Sequence, residues 1–205
     1  MLTSHVLFLT CRAVWLRGRI HLVTYYGATE IANSFRTVRK NTIAIAEDIP
    51  EEQYGFQATP ETRTIGQTLV HIAVMTSLGE KIHFTDKVTT LEGFDFFGLM
   101  GKLIAEEQVK RSKAEIIAML QERGEQFARH LEGASEEFLS ERVTYPAGMQ
   151  PPMKSRLEML ISIKEHEMHH RGQLMLLERM IGQVPPLTRQ MQAFIAQMQA
   201  AKATS

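Results

Sequence analysis

Lys164-Glu165-His166-Glu167-Met168-His169-His170-Arg171-Gly172-Gln173-Leu174 is the stretch on which the reading of this chain turns. It lies in a longer run, about Ser155 to Ile181, with apolar residues at helical spacing. Steps of three and four from His166 reach Met159, Ile163, His170, Leu174 and Leu177, so both histidines fall in line with an apolar stripe. Four residues apart on a helix, His166 and His170 share one side, one turn from each other, and two imidazoles so placed can grip one divalent ion. His169 points about 100° away from His170, and Glu167 is likewise turned off the ligand side. The same residues spell H-E-x-x-H, the zinc-peptidase pattern in which Glu167 would be the base. That pattern normally takes a further ligand downstream, and no histidine follows His170. Glu178 is the one downstream candidate, and no edge strand for a peptide substrate is visible.

One helix offers only two ligands at one place, so a third must come from a facing helix. His71 is the best candidate, since it sits among Ile65, Leu69, Ile72 and Met75 in a second amphipathic run. Three histidines leave at least one coordination position open, as catalytic sites do, whereas structural zinc sites are closed by four protein ligands. The residues alone leave a plainer alternative open, because a histidine on an apolar stripe is often a hydrogen-bonded core residue.

Around these runs the chain reads as four long helices. The first spans about Ala28 to Glu47 and stops at Ile49-Pro50. The second opens at Thr64-Ile65-Gly66-Gln67, a capping box, and continues to about Asp86. Val88–Gly101, rich in Phe and Gly, reads as a linker, with most of Phe94, Phe96 and Phe97 expected in core or lid packing. The third helix is capped by Ser112-Lys113-Ala114-Glu115, with room to absorb Lys102–Arg111, and ends near Gly133. Ser135–Leu139 reads as one helical turn and Val143–Pro152 as an extended loop. The fourth helix stops at Gly182, and a short helix over Thr188–Lys202 closes the chain. With no convincing strand pattern, this predicts an all-α four-helix bundle with a short C-terminal helix, one domain over residues 28–202.

Composition narrows the function classes. The 205 residues carry 23 Lys plus Arg and 23 Asp plus Glu, so nothing in the composition suggests a basic footprint for nucleic acid, and no nucleic-acid partner is expected. One cysteine, Cys11, excludes an intrachain disulfide and fits a reducing, cytoplasmic setting. No apolar run approaches the roughly 18 residues needed to cross a bilayer. Residues 1–27 hold no acidic residue and carry Arg12, Arg17 and Arg19. A disordered tail, or a start assigned too early with the native chain beginning near Val23, is preferred there over a targeting signal.

The string His166 to Leu174, followed by Gly182 and Pro185-Pro186, with mid-helix His71 after the Thr64–Gln67 box, resembles the DinB/YfiT-like superfamily over about Tyr25 to Phe194. The resemblance implies an up-down-down-up four-helix bundle and a divalent-metal site, often zinc or nickel, with His71, His166 and His170 as ligands. It implies frequent homodimers, and metal-dependent hydrolysis or S-transfer from a low-molecular-weight thiol onto a small-molecule substrate. A non-catalytic metal-binding or stress-induced bundle is the alternative.

Overall fold

The computed structural model describes residues 26–203. The expectations for residues 1–25 lie outside the described residues. The elements are α1 (Ala28–Asp48), α2 (Ile65–Gly79) running on as a π-helical turn (Glu80–Thr85), α3 (Phe96–Glu107), α4 (Lys113–Glu132), α5 (Glu136–Ser140), β1 (Arg142–Thr144), β2 (Met153–Ser155), α6 (Arg156–Met180) and α7 (Pro186–Ala203).

The helix starts follow from side-chain chemistry. Thr64 and Gln67 form a reciprocal capping box at α2, and Ser112 and Glu115 form another at α4. Ser155 Oγ accepts from the Glu158 N–H at α6. At the other end of α6, Gly182 takes φ 84°, the left-handed conformation in which a helix stops and which glycine adopts without penalty.

Long-range pairings fix the direction of each bundle helix. Arg39 reaches Leu120 O while Lys113 Nζ reaches Glu47 O, so α1 and α4 run antiparallel. Lys164 meets Ser34 and Glu167 meets Thr42, so α1 and α6 run parallel. Gly79 abuts Ile163 and His71 abuts His170, so α2 opposes α6. The four long helices are therefore up, down, down and up, the order expected. α1 and α2 each pack against both α4 and α6.

Because α2 and α4 point the same way, a long crossover must join them. α3 lies in that crossover and packs on α2. This corrects two expectations: the Phe- and Gly-rich linker contains the start of a helix, and Lys102–Glu107 belongs to α3 rather than to the helix capped by Ser112. Asp95 Oδ1 caps α3 by accepting from the Gly98 N–H at 2.9 Å, which offsets the low helix propensity of Gly98 and Gly101. Two of the three linker phenylalanines are exposed, Phe96 at 41% and Phe97 at 87%, against the expectation of burial. The absence of strands is corrected as well. β1 and β2 pair antiparallel with Val143 opposite Lys154, closing the extended loop into a short ladder.

The core falls into two apolar clusters. One gathers Ile45, Ile65, Leu69, Ile72, Leu120 and Leu174; the other gathers Ile31, Phe35, Phe127, Leu131 and Leu160. Between them lies a buried polar layer made by Arg39, Thr42 and Glu167. The Arg39 guanidinium donates to Glu167 from Nε and Nη2 at 3.0 Å, and to Leu120 O from Nη1 at 2.7 Å. A buried ion pair stands only when its remaining donors and acceptors are satisfied, as these are. Glu167 thereby ties α6 to α1 one residue after His166.

Candidate metal centre

α2 and α6 bring His71, His166 and His170 together. His166 Nε2 lies 3.2 Å from His71 Nε2 and 3.1 Å from His170 Nε2. Those separations are close to the edge of a nitrogen tetrahedron around zinc, about 3.3 Å for Zn–N bonds of about 2.0–2.1 Å. His71 is 4% exposed and His170 7%, so the cluster is set into the protein, with His166 more open.

The other ring nitrogens settle the tautomers. His71 Nδ1 donates to Glu107 Oε1 at 2.5 Å. His170 Nδ1 donates to Gln173 Oε1 at 2.8 Å, and the amide orientation is consistent because Gln173 Nε2 in turn donates to His169 Nε2 at 3.1 Å. In neutral rings this leaves the Nε2 atoms of His71 and His170 as bare acceptors. His166 Nε2 has at most one proton to give. At least one of its two contacts is thus lone pair against lone pair, an arrangement that a cation at the convergence point resolves.

Electrostatics keep these lone pairs free. Burial pushes all three imidazoles below the usual histidine range, and the Arg63 charge pushes each further in the same direction. His166 and His170 are brought down to about 4, while the hydrogen bond to Glu107 works against the shift at His71. At neutral pH the cluster is therefore uncharged and ready to ligate.

Glu107 was not singled out in the sequence, and it is the centre of the supporting shell. It is 3% exposed, with Oε1 on His71 and Oε2 accepting from Arg63 Nε at 2.7 Å. A carboxylate behind a ligating histidine fixes the ring and raises its basicity. The sequence signal was faint: Glu107 lies on α3, the helix hidden in the apparent linker.

Glu167, the base of the peptidase reading, is 2% exposed and occupied by Arg39 and Thr42. Its carboxylate serves the core, which removes the base from that reading. Glu178 is fully buried but stands apart from the histidine cluster. Tyr145 follows β1 with its N–H on Pro152 O and does not line the cleft beside the histidines.

That cleft has a volume of about 620 Å³ and reaches His170. Gln173, Arg63 and Glu107 form a polar side, and Ile104, Leu176 and Leu177 an apolar one. A mostly preformed concave site with a few convergent polar groups is the usual form of a small-molecule site.

Fold and cluster together define a class: an up-down-down-up helical bundle with three inward histidines on two facing helices. The chain belongs to the DinB family, whose model matches residues 23–199. It is similar in structure to the DinB-like protein YjoA of Bacillus subtilis, at 18% identity, TM-score 0.56, covering 76% of this chain and 94% of that one. It is also similar to YfiT of Bacillus subtilis, described as a probable metal-dependent hydrolase with an unusual four-helix bundle topology, at 16% identity, TM-score 0.59, covering 80% of this chain and 92% of that one. At these identities the likeness concerns the fold. No curated protein is significantly similar in sequence.

Proposed function

We propose that this protein is a metal-dependent hydrolase whose divalent ion is held by His71, His166 and His170. The observation that carries the reading is the convergence of three Nε2 atoms with fewer protons than contacts. The description of YfiT as a probable metal-dependent hydrolase supports it. Zinc and nickel suit an all-imidazole set, as do copper and iron, so the ligands do not select among them.

When bound, such an ion supplies a Lewis acid that lowers the pKa of water toward ~7. The chain's own residues do the rest. Glu107 holds His71 in the tautomer that offers Nε2, and Gln173 does the same for His170. Arg39 and Thr42 fix Glu167, and with it the rotation of α6 that aims His166 and His170 at α2. The cleft admits a small molecule beside His170. Three protein ligands leave room for a water or substrate atom, which favours catalysis over a closed structural site.

The test is hydrolysis of a panel of small esters, amides and lactams by the metal-loaded protein, beside a chelated sample and His166→Ala. Turnover with any member, lost on chelation and in the variant, supports the reading. Turnover only when a low-molecular-weight thiol is added would replace it with S-transfer. Activity that survives chelation would contradict both.

A further inference from the structure

Arg63 stands in an unusual position beside the histidine cluster. Its Nε is committed to Glu107 Oε2 at 2.7 Å, the only hydrogen bond the side chain makes among the described residues. The terminal Nη1 and Nη2 carry four more N–H donors. The side chain is 38% exposed, and it lines the same cleft as His170. With Nε bonded to Glu107, the end formed by Nη1 and Nη2 makes no hydrogen bond among the described residues. Two parallel N–H donors so presented match the two oxygens of a carboxylate.

The rest of the cleft agrees. Glu107 is shielded, since both its oxygens are taken, and Glu61, the other acid of the lining, is exposed. Glu107 bridges Arg63 to His71, and Arg63 lines the cleft together with His170, so its charge stands at the cluster rather than at a remote rim. Ile104 and Leu176, 45% and 59% exposed, form with Leu177 an apolar side available to a ligand body.

We propose that Arg63 is the specificity-determining residue of this cleft and that its ligands are small carboxylic acids with an apolar body, the carboxylate on Nη1 and Nη2 and the reacting end toward the histidines. This rests on the hydrolase reading for the chemistry, though not for binding. Arg63 thus has two roles on separate edges: it orients Glu107 behind His71, and it recognises charge.

The experiment is calorimetric binding of hexanoate and of its neutral analogue hexanamide to wild type, Arg63→Met and Arg63→Lys. Each is measured zinc-loaded and again after chelation, with zinc content determined in every sample. Wild type is expected to prefer hexanoate. Arg63→Met is expected to lose hexanoate affinity by at least about tenfold while binding hexanamide unchanged, and Arg63→Lys to keep only part of the preference, having charge without the fork. Equal hexanoate binding by wild type and Arg63→Met at equal zinc content would overturn the proposal, as would wild type binding hexanamide as tightly as hexanoate. An Arg63-dependent preference in a protein that takes up no zinc would uphold this assignment while removing the metal reading, so the two fail separately.

Discussion

At the scale of single residues, the cluster shows how a spacing becomes a site. His166 and His170 were legible because a step of four on a helix is a fixed geometric relation. His71 was legible because it interrupts an apolar stripe on a second helix. What converts the three rings into a matched set was not legible: Glu107 and Arg63 are 44 residues apart and meet only through the fold. Glu167 is the opposite case, a residue whose motif position pointed to chemistry and whose environment assigns it to the core. Its neighbours Arg39 and Thr42 lie 128 and 125 residues away, and no local pattern announces them. Glu107→Gln tests the supporting shell. It preserves shape but weakens the acceptor behind His71, and is expected to reduce zinc affinity by about 10–100-fold with helix content unchanged. Unchanged affinity in a competition titration would mean that Glu107 only anchors Arg63.

At the scale of elements, the four bundle helices were readable because apolar periodicity and two capping boxes mark them. α3 was not, because two glycines and exposed phenylalanines carry the composition of a linker while a cap and packing on α2 hold the helix. The β1–β2 ladder is three residues a side, too short for alternation to emerge. Glycine also has a packing role that propensity would miss. A Cβ at Gly124 would lie 2.8 Å from both Cγ and Nη1 of Arg39, a side chain fixed by Glu167 and by the carbonyl of Leu120. In an open helix, Gly→Ala stabilises by roughly 1 kcal/mol. Here Gly124→Ala is expected to destabilise by about 1–3 kcal/mol, since the clash displaces a buried cation from its partners. A urea unfolding midpoint above that of wild type would show that α4 can move away from Arg39.

At the scale of the whole molecule, the up-down-down-up order positions the site. It sets α2 antiparallel to α6, and the crossover it demands is the segment that delivers Glu107. Among the described residues no helix is long and apolar enough to cross a membrane. The fold also carries a buried acid it does not satisfy. Both Glu178 oxygens lack hydrogen-bond partners among the described residues, and burial together with the Asp48 charge pushes this carboxyl up to about 7. Because the folded-state value is raised, the native state binds the extra proton. Its penalty is absent below the unfolded value near 4.5, grows as pH rises toward 7, and is constant above that. Glu178→Gln is therefore expected to be more stable than wild type by on the order of 2 kcal/mol at pH 8. That advantage should vanish by about pH 4.5. A pH-independent gap between the two unfolding curves would contradict this. His83 has the opposite sign. Burial and the Arg156 charge lower it to about 4, so its contribution holds above the unfolded value and is lost as pH falls toward 4.

Direct zinc titration of tag-free, chelator-stripped protein tests whether three histidines on two helices hold one metal ion. Wild type is expected to bind about one ion per chain and to gain about 2.7 kcal/mol of stability at a hundredfold excess over Kd. His71→Ala, His166→Ala and His170→Ala are each expected to lose both effects while keeping the helical fold. No uptake by wild type, or full uptake by any of the three variants, would contradict the three-histidine site and leave a helical bundle with a buried histidine cluster.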